Sequence, residues 1–130
     1  LALGACATQT PAAPTPFALA GSSWQRSDDM DAGPHFPTIA FAADAASGFA
    51  GCNSWRAKIA AHADRLRFAG IAVARGMCPP PSMQTEHNFL PALQRTRAYR
   101  LDGEELVFLD ARGGVVARFG CANEACPRGP

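Results

Sequence analysis

The sequence has almost no charge imbalance: 12 Lys and Arg against 11 Asp and Glu leave a net charge of +1. The basic residues are scattered, without a run and without interleaved aromatics. That balance gives no electrostatic reason to bind nucleic acid or an anionic membrane surface. No stretch approaches the ~20 apolar residues of a membrane span. Tyrosine occurs once, so the aromatic content rests on 8 Phe and 2 Trp, residues suited to filling a core. Signatures of chemistry are missing too. There is no His-Glu-x-x-His and no phosphate loop. His35, His62 and His87 are isolated from one another, and Ser22 and Ser23 lie in a turn with no base nearby. The sequence therefore predicts no catalytic residues, no metal site, no cofactor and no nucleic-acid partner.

What is present fits one exported domain. At 130 residues and 48% hydrophobic, the chain can bury one core and is not disordered throughout. Its start, Leu3-Gly4-Ala5-Cys6, has the pattern of a bacterial lipobox: Leu, two small residues, then the cysteine that receives lipid. The rival reading is an apolar N-terminal strand carrying a core cysteine. On the lipobox reading, residues 1–5 are the remnant of a signal peptide and Cys6 is acylated. The following Ala7 to Pro16 stretch is small, polar and punctuated by proline, a semi-extended tether. Residues 6–18 then form the anchor and tether, and residues 19–130 the globule with a cysteine-containing tail. Ala7 rather than Asp after Cys6 favours the outer membrane, facing the periplasm.

Alternation of apolar and polar residues dominates the globule. Ile39, Phe41 and Ala43 share one face; Trp55, Ala57, Ile59 and Ala61 share another. Leu66 and Phe68 point in where Arg65 and Arg67 point out. Tyr99 with Leu101, Leu106 with Phe108, and Val115 with Ala117 and Phe119 continue the pattern. Turn-like breaks fall at Asp44 to Gly48, Ala63-Asp64, Asp102-Gly103 and Asp110 to Gly114. After Pro79-Pro80-Pro81, the run from Ser82 to Arg95 changes period, with Met83, Leu90 and Leu93 at helical spacing and Ser82 as N-cap. Pro91 interrupts that helix. The expected fold is α+β: a curved antiparallel sheet, an incomplete barrel, with one kinked helix or two short helices packed on it.

Trp24 after a Gly-Ser turn, Gly51-Cys52-Asn53, the Ile71 to Cys78 run, Glu86-x-x-Phe89-Leu90-x-x-Leu93, Tyr99 to Leu101 and Leu106 to Asp110 follow a family's order. In order and spacing the chain resembles the META domain, the HslJ-like family of bacterial envelope proteins, over about residues 19–120. The resemblance implies a secreted or lipid-anchored protein associated with stress tolerance, without an established enzymatic activity. The family pattern has Thr where this chain has Ala74, and the Cys121 to Cys126 segment lies beyond it.

Leaving Cys6 aside, Cys52, Cys78, Cys121 and Cys126 remain, an even number suited to disulfides in an oxidising compartment. Of three connectivities, Cys52–Cys78 with Cys121–Cys126 is favoured over a zinc site, which would use closer cysteine pairs. Glu86 falls on the apolar face of the helix. It either shapes a site or accepts hydrogen bonds from the Gly51–Asn53 turn. Asn53 either caps a turn or faces a ligand. The functional expectation is a monomeric, non-enzymatic lipoprotein that binds an envelope protein, a glycan or a small molecule. An inhibitor of an envelope-attacking enzyme such as lysozyme is the alternative, and a small hydrolase or thiol enzyme a further one.

Overall fold

The computed structural model describes residues 17–29 and 36–130, so Cys6 and His35 lie outside the described residues. Strands β1 (Ser23–Arg26), β2 (Thr38–Phe41), β3 (Ala45–Phe49), β4 (Ser54–His62) and β5 (Arg65–Val73) precede the single described helix, α1 (Pro80–Arg95). Strands β6 (Ala98–Asp102), β7 (Glu105–Leu109) and β8 (Val115–Cys121) follow it. All neighbours pair antiparallel, and β1 pairs with both β2 and β8, so the sheet closes into an eight-stranded barrel. The expected incomplete barrel is thus corrected. Closure depends on two short strands with weak sequence signals. β1 presents Trp24 and Arg26 inward, and β3 buries little besides Ala46. The segment read as a turn from Asp44 to Gly48 is mostly β3, held by β2 on one edge and β4 on the other. Gly48 is needed there, because a Cβ would overlap the Thr38 carbonyl of β2.

The tight turns follow residue chemistry. Ala63 adopts φ 53° between paired His62 and Arg65. Gly103 supplies φ 59° between β6 and β7, with Gly103-Glu104 as the two turn residues and Asp102 already paired to Glu105. In β5, Gly70 has φ 59° at the point where the β4–β5 register slips, the signature of a glycine bulge. The bulge turns the remainder of β5 away from a simple ladder. The seam between β5 and β6 is narrow, with Arg65 paired to Ala98, and α1, which connects these strands, packs against β5 and β8.

The helix is continuous through Pro91, so the two-helix alternative is not adopted. It starts at Pro80, with Pro79 as N-cap and no side-chain cap, so the proline run rather than Ser82 sets its beginning. Its buried face carries Thr85, Glu86, Phe89, Ala92 and Leu93, whereas Met83 and Leu90 are half-buried. Phe89, fully buried, drives this packing: its ring lies 5.7 Å from Trp55 and 6.4 Å from Phe119. The barrel interior continues through Phe68, Phe108 and Phe119, with centroids 5.6 and 4.7 Å apart. Edge-on and tilted contacts of this kind add to the area they bury. Phe17 packs at 5.5 Å on Phe41 and 6.2 Å on Tyr99, so the globule already includes it. Ala43, Ala61 and Val115 continue the inward alternation in sequence but are exposed: Ala43 lies beyond β2, Val115 opens β8, and Ala61 stands one residue from the end of β4.

Candidate functional site

The polar residues singled out from sequence meet where the β3–β4 loop touches the first turns of α1. Gly51, with φ 123°, brings the loop backbone so close to the helix that a Cβ would press within 2.9 Å of the Glu86 nitrogen. Asn53 directs its backbone N–H to Glu86 Oε1 at 2.7 Å and its side-chain Nδ2 to Glu86 Oε2 at 3.1 Å. Both residues are buried, Glu86 at 5% and Asn53 at 7% exposure. The Glu86 carboxylate is therefore a bidentate acceptor for one residue. Charge-assisted bonds of this kind are stronger than neutral ones.

Asn53 also reaches the segment after β5. Its Oδ1 accepts from Gly76 N–H at 2.7 Å, and its Nδ2 donates to the Gly76 carbonyl at 3.1 Å. The primary amide thus pairs with Gly76 as a second peptide group would. Gly76 must lack a side chain, since a Cβ would sit 2.8 Å from Asn53 Oδ1. Cys52, which precedes Asn53, and Cys78, two residues after Gly76, are joined in a disulfide that ties the same two segments covalently. Loop, post-β5 segment and helix are therefore knotted at one point by a disulfide, an amide pair and a carboxylate. Sequence reasoning nominated Cys52, Cys78, Asn53 and Glu86. It missed Gly51 and Gly76 as close-approach positions and Thr85, whose side chain meets Gly51. Position 74, where the family pattern differs, is exposed, and Ala74 gives its N–H to the Ser54 carbonyl at 3.0 Å.

A second clasp closes the barrel's end. Cys121 and Cys126 form a disulfide around Asn123. Asn123 Nδ2 donates to the Gly21 carbonyl at 3.0 Å, and Asn123 Oδ1 accepts from Ser23 N–H at 3.2 Å. The tail then returns to the β6–β7 turn, where Gly129 N–H meets the Gly103 carbonyl at 2.8 Å and Arg128 pairs with Glu104 at 2.8 Å. His62 and His87 are exposed on different elements, β4 and α1, and the structure does not bring them together with Glu86. Among the described residues, no three His, Cys, Asp or Glu side chains gather at metal-binding geometry.

Two perturbed groups lie elsewhere. Burial, with a smaller contribution from the Asp64 charge, raises the Tyr99 phenol above its ordinary value. Asp110 accepts backbone N–H groups of Gly114 and Arg112, each at 2.9 Å, and these hold its carboxyl below the usual carboxylate range.

The chain matches the META domain over residues 17–123. No curated protein matches it. Three solved structures share its fold. An NMR structure of a protein from Burkholderia xenovorans is 21% identical with a TM-score of 0.66, covering 89% of this chain and 96% of that one. A second protein solved by NMR is 18% identical with a TM-score of 0.62, covering 83% and 95%. A DUF4847 family protein from Bacteroides vulgatus, solved by crystallography, is 14% identical with a TM-score of 0.59, covering 78% and 93%.

Proposed function

The chain belongs to the META domain family, and from that premise we propose that it is a non-enzymatic lipoprotein of the bacterial envelope, a stapled barrel that binds rather than transforms. One observation carries the non-enzymatic part. The buried polar groups nominated as a site are spent on the fold: both Glu86 oxygens and the Asn53 amide are engaged by each other and by the Gly76 backbone. A catalytic carboxylate needs a free lone pair or proton aimed at a substrate. Glu86 instead aims at a peptide N–H. The Leu3-Gly4-Ala5-Cys6 pattern supports the anchor. Two disulfides agree with an oxidising compartment.

Acylation is tested by expressing the chain behind an intact signal sequence and washing membranes with high salt. The wild type is expected to stay in the membrane fraction and Cys6→Ser to be released. A Cys6→Ser protein that pellets unchanged after the wash overturns the anchor. Catalysis in a broad hydrolase screen, abolished by a single substitution, overturns the non-enzymatic reading.

A further inference from the structure

Strand alternation sorts the scattered basic residues in a way their spacing conceals. Arg56 and Lys58 of β4 and Arg65 and Arg67 of β5 all point outward and are exposed. The register joins them into one patch: Arg56 stands opposite Ala72, Lys58 opposite Ala69, Ala60 opposite Arg67, and His62 opposite Arg65. Arg67 is the diagonal neighbour of Lys58, ~7–8 Å away between such positions. Ion pairs among the described residues are Arg26–Asp28, Arg100–Asp102, Arg118–Glu105 and Arg128–Glu104, so none of the four joins one. Asp44 in the β2–β3 turn and Asp64 at the β4–β5 tip border the hairpin without pairing to these cations. The register sets no two of the four directly opposite, so their mutual repulsion is small. The fold gives these cations no ion pair to make, whereas an anionic partner does.

The shape of the patch narrows the partner. The outward residues between the cations are small: Ala60, Ala69, Gly70 and Ala72. A shallow groove floored by Ala40, Ala42 and Ala45 runs beside Arg56 and Lys58. The cations are thus the tallest groups on a low sheet face, able to reach one plane together. No Phe, Tyr or Trp side chain faces outward on β4 or β5 and His62 is the single ring there, so the row of stacking rings that single-stranded nucleic acid uses is lacking. We propose that the outer face of the β4–β5 hairpin docks on a membrane surface through its phosphate-bearing anionic lipid headgroups. This departs from the expectation from net charge alone. It extends the envelope reading and does not depend on acylation of Cys6.

The test uses the full chain carrying Cys6→Ser, sedimented with vesicles of phosphatidylethanolamine and phosphatidylglycerol, and separately with phosphatidylcholine vesicles. Binding is expected to the first and not the second, and to fall as salt shortens the screening length. A Lys or Arg near such a surface contributes roughly fivefold. Arg56→Gln/Lys58→Gln should lose about thirtyfold, and the quadruple variant, with Arg65→Gln and Arg67→Gln, should fall to background. Arg95→Gln/Arg112→Gln, equal in charge removed but placed beside Asp110, should stay within about twofold. All substituted side chains are exposed, and an unchanged melting temperature verifies folding. The proposal is overturned if the wild type ignores phosphatidylglycerol or if the Arg95/Arg112 pair costs as much as the hairpin pair. Tighter capture of a single-stranded oligonucleotide than of vesicles also overturns it. Salt-washed membranes report acylation and the unacylated chain reports the hairpin, so either reading can fail without the other.

Discussion

Replacing Glu86 by Ala removes the acceptor for two buried donors, the Asn53 N–H at 2.7 Å and Nδ2 at 3.1 Å. Hydrogen bonds to a charged group contribute ~1.5–3 kcal/mol each, and a buried donor left without a partner carries its own desolvation cost. Asn53 cannot easily turn to a new acceptor, because its amide is already held by both polar groups of Gly76. The expected loss is about 3–5 kcal/mol, a large part of the ~5–15 kcal/mol that stabilises a domain of this size. Glu86→Gln should cost about 2 kcal/mol. Its carbonyl can keep the Asn53 N–H, but its amino group would then face Asn53 Nδ2, donor against donor. Denaturant unfolding followed by Trp fluorescence measures these values. A double-mutant cycle with Asn53→Ala should show a coupling of about 1–2 kcal/mol, since that cycle isolates the Nδ2–Oε2 contact. If Glu86→Ala unfolds at the wild-type denaturant midpoint, the carboxylate is not a structural clasp; an additive cycle would refute its side-chain half, the Nδ2–Oε2 contact. With the midpoint unchanged, Glu86 would be free for another role.

The Cys52–Cys78 disulfide closes a loop of sequence separation 26. Cys52→Ser and Cys78→Ser should each cost about 3.5 kcal/mol by loop entropy, lowering the melting temperature by about 15 °C, with the double variant adding little. Unequal single effects or a fully additive double would refute a shared bridge. Asp110 should make the barrel acid-sensitive. Its folded-state carboxyl is held low, so the stability it contributes is present above the ordinary carboxylate range and lost as pH falls through the depressed value. Asp110→Ala should flatten the fall in melting temperature below about pH 4; an unchanged slope would show that the turn gains nothing from the charge. Tyr99, the single tyrosine, gives a clean alkaline titration. Its phenolate band should appear above the ordinary midpoint of about 10 and move only partway back in Asp64→Asn, since burial is the larger cause. With the phenol raised in the folded state, its contribution is complete below the unfolded midpoint and declines as pH rises through the folded one.

Much of the core was legible in the residues because burial on a strand follows a period of two. Ile39 with Phe41, Leu66 with Phe68, and Ala117 with Phe119 are buried as their alternation requires. Glu86 was visible as a carboxylate on an apolar helical face, and the four cysteines after Cys6 as an even set. Barrel closure was not legible. β1 is four residues long and β3 has almost no hydrophobic contrast, so both exist because neighbouring strands offer edges on either side. The helix face shifted from Leu90 to Phe89 because the aromatic had the barrel interior to enter, a volume that periodicity does not describe. Gly76 carried no local signal, since its importance comes from an Asn 23 residues earlier that approaches only when the chain folds back. The same holds for charge. A sequence reports how many cations it has, whereas their neighbours are set by pairing register. Register placed four of them on one hairpin face and set Arg118 of β8 beside Glu105 of β7, whereas Arg26 and Arg100 meet Asp28 and Asp102 only two residues along the chain.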